Sequence, residues 1–233
     1  MRSFFNSIPP VTKNLLIINV LLWVATLVMG VNPATGEYRL VQWLGLHAFG
    51  AEQFNVAQLI TYMFMHSGFE HILFNMFAVW MFGRTLEMVL GPKRFLTYYM
   101  VCGIGAGLVQ EVVQYIEYAT TLSNYSGVDT GLAVIPMEEY LNMMTTVGAS
   151  GAVYGILLAF GMLFPNSQMF VFPIPFPIKA KFFVIGYAVI ELLSGLGSSG
   201  DGIAHFAHLG GMIFGFFMIM HWRKKNNNGQ LYF

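Results

Sequence analysis

The chain has 233 residues, of which 9% are charged and 56% hydrophobic, and its mean hydropathy is +0.63. A soluble domain is about a quarter charged, so this chain has too little polar surface to cover itself in water, and its solvent must be mostly lipid. Eleven Lys and Arg balance eleven Asp and Glu, which excludes the basic field of a nucleic-acid binder.

A stretch of about 20 mostly apolar residues is needed to cross about 30 Å of hydrocarbon. Six stretches qualify, roughly 14–31, 66–88, 95–116, 149–165, 181–197 and 203–222. They predict an all-α membrane protein, a six-transmembrane-helix bundle forming one domain over 1–233. The N-terminal Met1-Arg2-Ser3-Phe4-Phe5 reads as the cytoplasmic end of an uncleaved anchor, because further apolar spans follow the first.

Between the first two spans, Tyr38 to Phe54 carries Trp43, Phe49 and Phe54 with little charge, which suits a first loop lying in the interface. Cys102, the single cysteine, excludes an internal disulfide and reads as a packing residue of the third span. Residues 117–147 are polar, with Asp129, Glu138 and Glu139, and predict an external loop with a short helix. Pro165, Pro173, Pro175 and Pro177 forbid helix over 165–178 and favour an extended cytoplasmic connector. The fourth span is short and the last three are rich in small residues, as in buried, closely packed helices. No internal repeat supports an inverted-repeat transporter.

Charge placement orients the bundle. With a cytoplasmic N-terminus and alternating spans, Arg2, Lys13, Arg84, Lys93, Arg94, Lys179, Lys181, Arg223, Lys224 and Lys225 fall inside, and only Arg39 falls outside. Positive loops are retained in the cytoplasm, so both termini are expected there.

Spans two, four and six then all enter from outside. Their outer portions hold His66, His71 and Asn75; Gly148, Ser150 and Gly151; and His205 and His208. At 1.5 Å per residue each group lies within about three turns of the outer end of its helix. Ionisable groups at such depth usually face an interior cavity.

In Gly148-Ala149-Ser150-Gly151 the flanking glycines admit another backbone close to the hydroxyl. The helix start supplies free N–H groups and positive dipole for an oxyanion. Alone, the segment reads more readily as a small-residue packing motif. A serine nucleophile needs a base, and His208, followed by Gly211 and Gly215 on one helix face, is placed to supply it. No aspartate stands at that depth, and Asp201 is a loop candidate, so a Ser–His dyad is the simpler reading.

His71 and Asn75, at i and i+4, share a face and could donate to an oxyanion or merely tie helices together. His66 points elsewhere and is expected to brace the first loop. Glu87, near the inner end, is expected to make an interhelical hydrogen bond or to pair with Arg84. The rival chemistry is zinc held by the four histidines, although His-Glu-x-x-His is absent.

Taken together, Met65-His66 with His71-Ile-Leu-Phe-Asn75, Gly148-Ala-Ser150-Gly151 with Tyr154, and Ala207-His208-Leu-Gly-Gly211 with Gly215 resemble the three ordered motifs of the rhomboid intramembrane proteases. The resemblance covers nearly all of residues 10–222. It implies that Ser150 is the nucleophile and His208 the base, with Tyr154 stacked on His208. It also implies an oxyanion hole from the Ser150 backbone, His71 and Asn75. The family's glycine spacing selects His208 over His205. Implied partners are transmembrane protein substrates, cut near their outer ends, and membrane lipid, with no nucleic acid, cofactor or metal.

The fifth helix would be a lateral gate, and the six-span form would place the protein in a bacterial cell membrane. The Trp-Arg pair of some members is missing, with Ala57 and Gln58 at the aligned positions. A non-catalytic relative that captures membrane helices is the competing function, and a channel or transporter a weaker one.

Overall fold

The computed structural model describes residues 7–129, 131, 133–171, 175–197 and 204–225. The expectations resting on Met1–Phe5, Pro173 and Asp201 lie outside the described residues.

Over their described residues, the six predicted stretches are mostly helical. Helix α1 (Pro10–Met29) begins with Pro at its first position and stops at Gly30, whose φ of +68° a larger side chain would resist. Its first N–H groups have no partner within the helix. Glu87 supplies one: it accepts the Val11 N–H at 2.9 Å and both the N–H and the hydroxyl of Thr12 at 2.7 Å. The expected interhelical bond of Glu87 is therefore made to the α1 N-terminus rather than to Arg84. A carboxylate there also complements the helix dipole.

The first loop folds as a short helix, α2 (Arg39–Leu44), then α3 (Gln58–Thr61) and a 3-10 turn at Tyr62–Phe64. Helices α4 (Phe69–Ala78) and α5 (Arg84–Leu90) run on through one π-helical turn at Val79–Gly83. Gly91 and Pro92 then open α6 (Pro92–Thr120), which extends past the predicted end of the third span. The 117–147 region holds the expected short helix, α7 (Met137–Met143), and an unforeseen hairpin pairing Gly127–Asp129 with Val134–Pro136.

Helix α8 (Ser150–Leu163) has 14 residues and rises about 21 Å, less than the hydrocarbon thickness. The connector after it is extended, with Gln168–Met169 paired antiparallel to Ile178–Lys179. Helices α9 (Ala180–Leu196) and α10 (His205–Lys225) complete the order. Three segments among the described residues are long and apolar enough to cross a membrane: Pro10–Met29, Phe69–Leu90 and Pro92–Asn124.

The core sits where α6, α8 and α10 meet. A Cβ added at Gly215 would collide with the Tyr98 ring (3.1 Å) and Cys102 Sγ (3.2 Å), and one at Gly155 would press on Cys102 and the Gly211 carbonyl (3.2 Å). The Tyr98 hydroxyl donates to the Gly155 carbonyl at 2.8 Å, which satisfies a phenol otherwise costly to bury. Cys102 is fully buried in this contact. The outer faces are apolar and open, with Leu21, Val28 and Phe74 among the exposed side chains, as a helix facing lipid requires.

Candidate active site

Two features of the backbone deliver Ser150. The strand pair Leu46–His47 with Thr145–Thr146 fastens the first loop to the segment before α8. Buried His47 strengthens the fastening: its Nδ1 lies 2.8 Å from the Asn142 carbonyl and its Nε2 2.8 Å from that of Gln42. Gly148 then takes φ +128° and donates its N–H to the Tyr62 carbonyl at 2.9 Å. A Cβ there would lie 2.7 Å from His71 Nε2 and 3.5 Å from Ser150 Oγ. Both conformation and space thus call for glycine, and the His71 ring lies beside the serine.

Ser150 is the first residue of α8, where helix geometry leaves backbone N–H groups without intrahelical acceptors. At Gly151 the backbones of α8 and α10 touch: a Cβ on Gly211 would meet the Gly151 carbonyl carbon at 2.7 Å. This approach brings Ser150 Oγ within 2.9 Å of His208 Nε2. Tyr154, one turn along α8, lies flat on the His208 ring, with centroids 4.2 Å apart and planes 8° from parallel.

His208 Nδ1 meets a residue absent from the sequence reading. Glu191 of α9 is 5% exposed, and its Oε2 lies 2.9 Å from His208 Nδ1 and 2.6 Å from His205 Nδ1. Its Oε1 accepts the Tyr154 hydroxyl. A search for aspartate at the depth of the serine finds none, yet an acid is in place. The available signal was a lone carboxylate within a predicted span, which rarely lacks a purpose.

The remaining candidates are distributed as follows. Asn75 is buried and its Nδ2 donates to the His71 carbonyl of its own helix at 2.8 Å. His71 Nδ1 lies 3.0 Å from Ser67 Oγ. His66 is buried at the end of the first loop and packs edge-to-face on His71, centroids 5.0 Å apart. The four histidines do not converge. His66 and His71 pair with each other, while His205 and His208 join Glu191.

That last trio has the donor types of a zinc site, with its atoms within 4.8 Å of one another. A tetrahedral zinc would hold N and O ligands about 3.3 Å apart. Here both Nδ1 atoms stand at hydrogen-bond distance from one oxygen, 2.6 and 2.9 Å, and His208 Nε2 faces the serine. At these distances the three groups can share protons as hydrogen bonds.

This helical chain has counterparts among known proteins. A family profile described as the rhomboid domain matches residues 53–225, well over half of the chain. The chain belongs to the rhomboid family. It is 30% identical to the mitochondrial rhomboid protein 1 of Saccharomyces cerevisiae over 67% of this chain and 39% of the relative. It is 29% identical to the rhomboid protease AarA of Providencia stuartii, over 66% of this chain and 51% of the relative. Rhomboid protease GlpG of Yersinia pseudotuberculosis is 22% identical over 94% of this chain and 64% of the relative. The chain thus spans less than two thirds of the length of these relatives.

Proposed function

We propose that the protein is an intramembrane serine endopeptidase that cleaves transmembrane proteins near their outer ends, with Ser150 as nucleophile and His208 as general base. The observation carrying this reading is the 2.9 Å contact between Ser150 Oγ and His208 Nε2 at the start of α8. Names of two relatives, both called rhomboid proteases, support it.

In this reading His208 Nε2 takes the Ser150 proton as Oγ attacks the scissile carbonyl. The oxyanion is held by the Ser150 backbone N–H with His71 and Asn75. His208 then returns the proton to the leaving amine, and water hydrolyses the acyl-serine with His208 again as base. Tyr154 keeps the imidazole plane fixed by stacking. No cofactor or metal takes part.

The same proposal has six spans in one domain over 1–233, both termini cytoplasmic. Leu15 of α1 belongs to the main apolar core and Glu87 caps α1, which supports including the residues before the matched profile. Similar proteins are named from bacteria, mitochondria and a chloroplast, so the expected bacterial cell membrane is one of three membrane types to test.

The experiment is incubation of the purified protein with a panel of transmembrane substrates and a fluorophosphonate, wild type against Ser150→Ala. Cleavage and labelling at Ser150 are expected, both abolished in the variant and unaffected by chelator. Activity lost to a chelator and restored by zinc would overturn the serine mechanism.

A further inference from the structure

The hydrolase reading leaves one group without a task. Glu191 is the one buried polar side chain of α9, about one and a half turns from that helix's end. A carboxylate taken out of water is costly unless it is hydrogen-bonded. This one accepts from three side chains on two other helices: Tyr154 on α8, and His205 and His208 on α10. Tying three helices together would explain an acceptor at this place. It would not explain which acceptor.

The tautomer does. An ionised carboxylate can only accept, so an imidazole nitrogen facing it must carry the proton. His208 Nδ1, 2.9 Å from Oε2, is then the protonated nitrogen, and Nε2 keeps its free lone pair 2.9 Å from Ser150 Oγ. That is the form a general base requires. The opposite tautomer would point a hydrogen at the serine oxygen and could take no proton. His205 makes the same contact with Oε2, but its ring stands perpendicular to that of His208 with centroids 6.4 Å apart. It serves the carboxylate rather than the serine.

We propose that Glu191 is the positioning carboxylate of a Ser150–His208–Glu191 triad, with His205 and Tyr154 filling its remaining hydrogen-bond capacity. The proposal rests on the assignment of Ser150 and His208 above. When Oγ attacks, its O–H bond breaks and an Nε2–H bond forms, while Nδ1–H and the carboxylate keep their states. The imidazolium so created lies against a fixed negative charge away from bulk water, where the attraction is stronger than in solvent. The proton on Nε2 then passes to the leaving amine.

The test compares wild type, Glu191→Gln and Glu191→Asp, each as the full chain in liposomes. Glutamine keeps the shape and can still tie helices, but its amide can donate to Nδ1 and turn the tautomer over. An amide replacing the acid of a serine triad lowers kcat by about 10⁴-fold, and a fall of about 10²–10⁴-fold is expected here. KM should change far less, labelling of Ser150 should slow in step, and Glu191→Asp should recover part of the rate. Nitrogen NMR of ring-labelled histidine should show His208 protonated at Nδ1 in the wild type and gaining the Nε2–H form in Glu191→Gln.

A glutamine variant with wild-type turnover per labelled Ser150 and unchanged tautomer, its only loss being thermal stability, makes Glu191 a helix tie and overturns the triad alone. A wild type that neither labels nor cleaves overturns the hydrolase assignment, and the triad with it.

Discussion

The α8–α10 crossing and helix α9 meet at the same cluster but are held there by different forces. At the crossing two backbones touch through Gly151 and Gly211, and Gly155 and Gly215 leave room for Cys102 and Tyr98 of α6. Packing of this kind is contiguous and unforgiving of added volume. Helix α9 buries only Ala180, Val184 and Glu191, while Ile190 (57% exposed) and Leu193 (64%) face outward. Near the site it is held by the hydrogen bonds of Glu191 and by Gly195, where an added Cβ would meet the Phe206 ring of α10 at 3.0 Å. The distance from serine to histidine is thus set by shape, and the histidine is aligned both by Tyr154 stacked from α8 and by a polar contact from a more loosely held helix.

The largest effect should come from spoiling the crossing. Gly211→Val would drive a side chain into the Gly151 backbone, which has no flexible end to yield. Overpacking usually costs about 1–3 kcal/mol, and a clash with backbone should exceed that, losing folded protein and labelling together. On α9, Gly186→Ala meets nothing within 4 Å and should leave unfolding temperature and activity near wild type. Equal damage from the two, read by thermal unfolding in detergent, would erase the distinction drawn here.

Next in size is removal of the base. His208→Ala should cut turnover by about 10²–10⁴-fold while the helix crossing, which His208 does not form, keeps the protein folded. A dead variant that is also unfolded would move His208 from chemistry to packing.

His71 and Asn75 come third. If both donate to the oxyanion, each alanine variant should lose about 10–10³-fold in kcat with little change in KM. The double variant should lose less than the product of the two. Asn75 begins with its amide turned to the His71 carbonyl, so its contribution requires one N–H to reach outward. Normal turnover per labelled Ser150 in both variants would restrict the pair to holding the helix and the loop around Ser67.

What the sequence made legible follows the same division. The glycine register of α10 and the Gly-flanked Ser150 are local patterns whose packing consequence can be read from spacing alone. Glu191 is the single acidic residue of a helix expected to run outward, which would make its site end the C-terminal one. Attention to the N-terminal ends of the inward-running helices passes over it. The Leu46–His47 strand pairs with residues about a hundred positions away, and two-residue strands leave no periodicity to detect. Likewise the contact of Glu87 with the α1 N-terminus needs three dimensions, although the need of that N-terminus for a partner does not.

The smallest effect separates the two histidines of α10, and it probes the polar side of the comparison most finely. His205 and His208 are spaced i and i+3 and touch the same oxygen of Glu191, so proximity to the acid cannot distinguish them. Their other contacts can, since only His208 has Nε2 on Ser150 and a face stacked on Tyr154. Without His205, Glu191 would lose one donor but keep Tyr154 and His208, and its hold on the His208 tautomer would loosen without breaking. His205→Ala should therefore lower kcat by less than about tenfold, under about 1.4 kcal/mol of barrier. Its cost should fall mainly on thermal stability, because a buried hydrogen bond to a charged group is worth about 1.5–3 kcal/mol. His205→Asn, which can still donate to the carboxylate, should recover part of that stability. Turnover abolished in His205→Ala but kept in His208→Ala, measured per labelled Ser150, would exchange the two assignments and with them the register of the helix.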